Sequence, residues 1–434
     1  MRPLHWLPLA VLSAAALCGA ATRPHYGGTL RIEMRSATPD SGPLASLAFE
    51  TLVRLDASGV AQPCLAVSWQ HDTAFRRWQF NLRPGVRFHD GSPLSAAAVV
   101  ASLEEALPGM ALGGNGETVT IRADRPVPDL LLVLAHDARI MGRDNLGTGP
   151  FRLTAFDPGH HAAFAANEDY WGGRPFLDAI DIQLGRALRD QFADLELGKI
   201  DVAELAPADV RRASAHGRAI WTSGAVNLIA LRCAPDSRLC EALALSIDRA
   251  AMHTVLLQKQ GEITAALLPQ WISGYAFAFP TEQDLARARS LTTALQAAAR
   301  TVSLSYDPAI PASRALADRI AVNARDAGIT VQVSAQNAQA ALRLAEIRLP
   351  SVSPARALTA LAAALKLETP ATAFTVAALY DAERKLLDGD RVIPLFYVPD
   401  EYGAAARVRV YAPPPVTRAG EWRFENVWLA GAAP

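Results

Sequence analysis

Leu65-Ala66-Val67-Ser68-Trp69, followed by Trp78-Gln79-Phe80-Asn81-Leu82-Arg83-Pro84-Gly85-Val86-Arg87-Phe88-His89-Asp90-Gly91-Ser92-Pro93-Leu94, sets the reading of the whole chain. Residues 78–82 alternate large and polar side chains, the pattern of a strand with one buried face. Arg83-Pro84-Gly85 interrupts that strand, because proline has no amide hydrogen and glycine accepts backbone angles closed to other residues. Val86-Arg87-Phe88 resumes as a short strand, and Asp90-Gly91-Ser92-Pro93 turns into a helix that begins near Ser95.

Similar punctuation recurs along the chain. Tyr26-Gly27-Gly28 opens an alternating strand that runs to Arg35, and Ala45–Leu55 reads as a helix ending in a short strand. Gly109–Gly116 reads as a glycine-rich loop. Gly147-Thr148-Gly149-Pro150-Phe151 precedes two strands joined by Asp157-Pro158-Gly159-His160, whose proline and glycine suit a hairpin turn. Asn167-Glu168-Asp169-Tyr170-Trp171-Gly172-Gly173 follows, and then a helix over 187–197 leading to Gly198-Lys199-Ile200-Asp201. Asn227–Arg232 is an apolar strand, and 237–256 reads as one long helix containing Ala244-Leu245-Ser246-Ile247-Asp248-Arg249. Residues 302–333 spell strand, helix, strand, a βαβ unit. A helix over 377–387, a strand over 392–397 and Glu425–Leu429 close the chain.

The opening segment, the Gly-Thr-Gly-Pro-aromatic turn, the Tyr-Trp-Gly-Gly segment, the Gly-x-Ile-Asp step and the Ile-Asp-Arg helix, in this order, resemble the family 5 extracytoplasmic solute-binding proteins. The resemblance implies an α/β, bilobal periplasmic-binding-protein-like fold of type II with an additional subdomain, its mixed β-sheets flanked by helices. Mapped onto this chain, it implies a signal peptide over 1–21 and lobe I from 22–47, 147–262 and 393–434. An inserted subdomain over 48–146 and an abbreviated lobe II over 263–392 complete the expected division. The implied function is a substrate-binding protein of an ATP-binding-cassette (ABC) importer. It would capture a peptide or another small amine- or carboxylate-bearing solute between hinged lobes and deliver it to permease subunits, as a monomer and without a cofactor. A nickel-type receptor, and an enzyme or envelope protein that reuses the fold, remain the alternatives.

Composition agrees with export. Arg2 and the apolar stretch Leu4–Leu17, followed by Gly19-Ala20-Ala21, have the layout of a cleavable signal, and the stretch falls short of the roughly 20 residues of a spanning helix. Leu17 stands where a lipoprotein signal has a small residue, which disfavours a lipid on Cys18. The expected location is the periplasm or the outer face of the envelope. Lys and Arg number 42 against 43 Asp and Glu, a balance unlike the basic footprint of a nucleic-acid binder. Cys64 lies among apolar residues as a free thiol would, whereas Cys233 and Cys240 flank a turn compatible with a disulfide in an oxidising compartment.

Gly-x-Ser-x-Gly, Ser-x-x-Lys and His-Glu-x-x-His do not occur, so no catalytic residue is assigned. His89-Asp90 reads as a turn and His160-His161 as neighbours on opposite faces of an extended strand, not as a base or a metal site. Trp69, Trp78, Tyr170 and Trp171 read as packing residues. In a hinged receptor the ligand meets strand ends and the connections into the second lobe. That nominates Glu33, Met34 and Arg35, Arg232, and Trp271 and Tyr275. Arg35 and Arg232 are suited to a carboxylate, and the two aromatics to apolar groups. Peptide-binding relatives carry an Asp-Tyr-Pro-Asp-Pro-like segment that meets the ligand's amino terminus. Here Leu349-Pro350-Ser351-Val352-Ser353-Pro354 has no acid, leaving Glu346 or Arg348 just upstream as ligand contacts.

Overall fold

The computed structural model describes residues 23–38, 42–142, 146–234, 237–370, 375–412 and 414–431. The expected signal segment and Cys18 lie outside the described residues. No described helix is long and apolar enough to cross a membrane.

One mixed sheet of eleven strands runs through the molecule. Its strands are β1 (Thr29–Glu33), β2 (Phe151–Asp157), β3 (His161–Ala166), β4 (Ala179–Gln183), β5 (Val202–Glu204), β6 (Ala219–Cys233), β7 (Glu262–Ile263), β8 (Thr301–Tyr306), β9 (Thr330–Ala335), β10 (Leu342–Arg348) and β11 (Val392–Ala404). The order is β2-β3-β4-β1-β5-β11-β6-β10-β8-β9, with β7 paired to β11. Strands β6 and β11, 15 and 13 residues long, are antiparallel partners. Sequence reading found only their apolar halves, 227–232 and 392–397. The structure extends both, through residues 219–226 and 398–404, which include the polar Thr222, Ser223, Asp400 and Glu401.

The β6–β11 register slips between Thr222 and Ala225, and again between Ala225 and Asn227. Extra residues in one partner bend and twist a ribbon, and the cores change sides at this bend. On one side Leu30, Ile32, Phe164, Ile180, Trp221, Tyr402, Trp422 and Phe424 share a core. On the other, Ile229, Leu231, Leu243, Leu304, Ile320, Leu344 and Leu395 pack on one face of the sheet, while Leu228, Ala230, Leu267, Leu361 and Tyr397 pack on the opposite face. The boundaries expected at 262/263 and 392/393 run through these second-lobe cores and not between cores, because segments 229–257 and 393–398 bury their apolar side chains with 288–344.

A third core, from Leu52 to Ile140, belongs to the inserted subdomain and includes Trp78, Phe80 and Val119 of a four-stranded antiparallel sheet. The opening sequence segment builds it. Arg77–Leu82 is a strand, Arg87 makes a single bridge to Pro93, and Ser95 caps the helix Ala96–Ala106 by accepting from the Ala98 amide at 3.2 Å. The glycine-rich stretch expected as a loop is instead an edge strand, Ala111–Asn115, paired with Thr118–Arg122.

The family-like motifs are joints between these bodies. Glu50, 4% exposed, accepts hydrogen bonds from Thr148 Oγ1 (2.8 Å), Tyr170 Oη (2.9 Å) and Trp171 Nε1 (2.8 Å). It thereby ties the Gly-Thr-Gly-Pro and Tyr-Trp-Gly-Gly segments to the subdomain. Gly147 is glycine because a Cβ there would lie 1.8 Å from the Ala48 carbonyl oxygen. His89 donates its amide to the Gly147 carbonyl at 3.0 Å and sets its Nε2 3.0 Å from that of Gly149, while burial lowers its pKa. The single helix expected over 237–256 is two, Ser237–Ser246 and Arg249–Val255. Asp248 breaks it by capping the second, and Arg249 turns inward to donate to the Pro394 carbonyl of β11.

Candidate functional site

The β6–β11 bend forms the floor of a cleft between the lobes. Arg35, two residues past the end of β1 at Glu33, is held to Glu204 of β5, donating its amide (2.6 Å) and Nε (3.4 Å) to Oε2. Its Nη1 crosses to the second lobe and donates to the Ala309 carbonyl at 3.1 Å. Burial opposes the charge on this guanidinium, but Glu204 and Glu346 hold its pKa above the ordinary value. Glu346 enters from β10, paired with Ile229 of β6. Burial raises its carboxyl pKa against the lowering pull of Arg35.

Arg348, two residues along β10 on the same face, donates to Asp400 Oδ2 at 2.7 Å and reaches the carbonyls of Ala419 and Gly420 at 3.4 and 3.5 Å. Asn227 donates to the other Asp400 oxygen at 2.8 Å. The cleft therefore holds charges of both signs. It encloses a cavity of only about 40 Å³, lined by Arg35, Glu204, Asn227, Ile229, Glu346 and Val398–Tyr402 among others. Such a space holds no more than a few water-sized groups.

Of the nominated residues, the structure brings Arg35, Glu346 and Arg348 together. Trp271 sits beside the bend, donating from Nε1 to the Ala225 carbonyl at 3.0 Å with the Arg418 guanidinium 4.8 Å from its ring centroid. The others lie elsewhere. Glu33 turns away toward Arg186, whose Nε is 3.2 Å from Oε1, and Met34 is in the first-lobe core. Tyr275 is buried in the second lobe, its hydroxyl spent on Glu383 at 2.7 Å. Arg232 lies beyond the cleft, near the far end of β6, beside the disulfide between Cys233 and Cys240. Cys64 is buried and unbridged.

Glu204, Asn227 and Asp400 were not found by sequence reading. Each is an isolated polar residue on a strand, and only strand pairing gathers them. The acid-free segment 349–354 does not face the cavity. Ser351 Oγ donates to Asp137 at 2.7 Å, Ser353 Oγ donates to Asp129, and Arg356 donates to the Ala106 carbonyl at 3.0 Å. The second lobe is thus docked on the inserted subdomain along this edge.

The model of bacterial extracellular solute-binding proteins, family 5 (middle), matches residues 60–348. A protein of Escherichia coli named probable D,D-dipeptide-binding periplasmic protein DdpA is 24% identical over 265 residues, 52% of this chain and 51% of that one. The chain spans about half the length of the curated relatives it matches. Among solved structures, Campylobacter jejuni NikZ in complex with Ni(L-His) superposes with a TM-score of 0.76 at 16% identity, covering 92% of this chain and 99% of that one. Helicobacter pylori DppA in complex with the peptide STSA gives 0.74 at 17% identity, covering 94% and 99%. A model match across more than half of the chain, on a two-lobed fold shared over nearly its full length, places this protein among the bacterial extracellular solute-binding proteins of family 5.

Proposed function

We propose that the protein is the extracytoplasmic receptor of an ABC importer, acting as a monomer in the periplasm or on the outer face of the envelope once residues 1–21 are removed. It binds a small solute carrying an amine and a carboxylate, a di- or oligopeptide or a related compound, between its lobes and presents it to permease subunits. No cofactor takes part and the ligand leaves chemically unaltered. The hinge lies at the β6–β11 bend, with the second lobe extending from about Ala225 to Pro399.

The observation that carries this reading is the pairing of opposite charges across the bend. Arg35 and Arg348 supply donors for a carboxylate, and Glu346, Glu204 and Asp400 supply acceptors for an ammonium. Closing the lobes withdraws these groups from water, which strengthens each contact and couples binding to shape. An organic ligand fits better than a bare metal ion. The groups around the cavity are carboxylates, an amide and guanidinium groups, the donors and acceptors that an amine and a carboxylate require.

Native mass spectrometry of freshly purified protein, followed by thermal melts with peptide, amino-acid, sugar and metal libraries, tests the reading. A ligand at a hundredfold excess over its Kd stabilises by about 2.7 kcal/mol, an easily read rise in Tm. If every library leaves Tm unmoved and nothing co-purifies, the receptor reading fails.

A further inference from the structure

Arg232, expected to touch the ligand, belongs to a different site. It shares the sheet face of Leu228 and Ala230, whereas Ile229, which lines the cleft, points to the other. Directly opposite Arg232 on the neighbouring strand is Arg343, in register. Like charges facing each other across a strand pair are destabilising. Arg391, at the foot of β11 on the other side, brings a third guanidinium, its carbonyl accepting from the Cys233 amide at 2.8 Å.

Lys366, just past the helix Pro354–Leu365, and Lys385, in the last turn of the helix Val376–Leu387, complete the ring. The five cations line one concavity of about 750 Å³, against two acids, Glu368 and Asp388. Among the described residues none of the five forms an ion pair with a carboxylate within 4.0 Å. Arg343 and Arg391 donate only to main-chain carbonyls, those of Ala338 at 3.1 Å and Ala234 at 3.4 Å. The lysines are favourably placed at helix C-termini, where the helix dipole attracts cations. That accounts for them and leaves the facing arginines unexplained.

We infer that this concavity, on the outer side of the second lobe, is a binding site for a multiply charged phosphate-bearing anion. Guanidinium groups match phosphate oxygens with paired donors, and ammonium groups add charge without imposing geometry. A bound dianion or trianion relieves the Arg232–Arg343 repulsion. The apolar lining from Leu365, Leu367 and Leu386 accommodates what the phosphate is attached to.

The test uses the full chain with inorganic pyrophosphate as probe, in calorimetric titrations at constant ionic strength, with chloride as the control. Vesicles of phosphatidylglycerol and of phosphatidylcholine form a second arm that separates a lipid headgroup from a free phosphate. Saturable binding of pyrophosphate or of phosphatidylglycerol vesicles, weakened at least tenfold by R343Q/R391Q and unchanged by R35A in the cleft, is the expected result. The charge reversal K385E should weaken it similarly, and far-ultraviolet dichroism melts establish that each variant is folded. The site is overturned if folded R343Q/R391Q and K385E bind as the parent does. It is also overturned if neither probe binds beyond the chloride control.

Discussion

The guanidinium of Arg35 leaves the first lobe and donates to the main-chain oxygen of Ala309 in the second, at 3.1 Å. Its own lobe holds the same side chain through Glu204. One residue thus touches both halves of the molecule, and its acceptor across the cleft is a main-chain carbonyl of the second lobe.

Replacing Arg35 by alanine removes the side-chain bridge but leaves its main-chain bond to Glu204. The variant should populate a more open state, read as a larger radius of gyration in small-angle scattering without ligand. It should bind the ligand about tenfold more weakly, equivalent to about 1.4 kcal/mol. Unchanged scattering together with unchanged affinity would remove Arg35 from the closure.

Glu50→Ala should be costly although Glu50 is remote from the cleft cavity. Truncation strands the buried donors of Thr148, Tyr170 and Trp171. Each orphaned group costs about 1–3 kcal/mol, so a loss of about 4 kcal/mol is expected in urea unfolding, with Glu50→Gln losing less. A loss under about 1 kcal/mol for the alanine variant would contradict a joint built on Glu50.

Glu383 gives the second lobe a pH dependence. Burial pushes its carboxyl up to about 7 from an ordinary 4.5, against the hydrogen bonds from Tyr275 and the amides of Leu268 and Leu267. A group whose folded pKa is raised contributes stability that is complete below its unfolded value and is lost as pH climbs through the folded one. Stability should therefore fall between about pH 4.5 and 7, by up to about 3 kcal/mol. Glu401 is raised to about 7 in the same direction, chiefly by burial. Glu383→Gln should flatten part of the slope in melts across this range. An identical slope in the variant would exclude Glu383 as its source.

Thiol labelling reads the cysteines. Within the described residues, the native protein should resist iodoacetamide. Cys233 and Cys240 are bridged, and burial holds the Cys64 thiol up at about 12. Unfolding without reductant should expose Cys64 alone. Removing the bridge by C233S/C240S should cost about 2 kcal/mol, since a loop this short restrains few unfolded conformations. Labelling of Cys233 or Cys240 before reduction would show the pair to be open.

Local chemistry made much of the fold legible. Trp78 through Leu82 alternates because one face of its strand is buried, and Ser95 precedes a helix because its hydroxyl caps one. Gly147 belongs to a turn motif legible in the sequence, but only the fold shows that no side chain fits there against the Ala48 carbonyl. The long helix expected over 237–256 shows where such reading stops. Asp248 caps a second helix there, and Arg249 reaches a carbonyl on β11, 145 residues away in the chain.

The amino-acid sequence by itself determined many of the strands, helices and turns and the resemblance to a two-lobed family, because these follow from near-neighbour patterns of polarity and backbone freedom. The tertiary structure alone decided the site. Glu204, Asn227, Glu346 and Asp400 come from four strands and Arg35 from the turn after a fifth, and Arg232 points to the opposite sheet face from its neighbour Leu231. Which side chains meet across a cleft depends on strand register and on the bend in β6 and β11, and a slip of one residue sends every side chain to the other face.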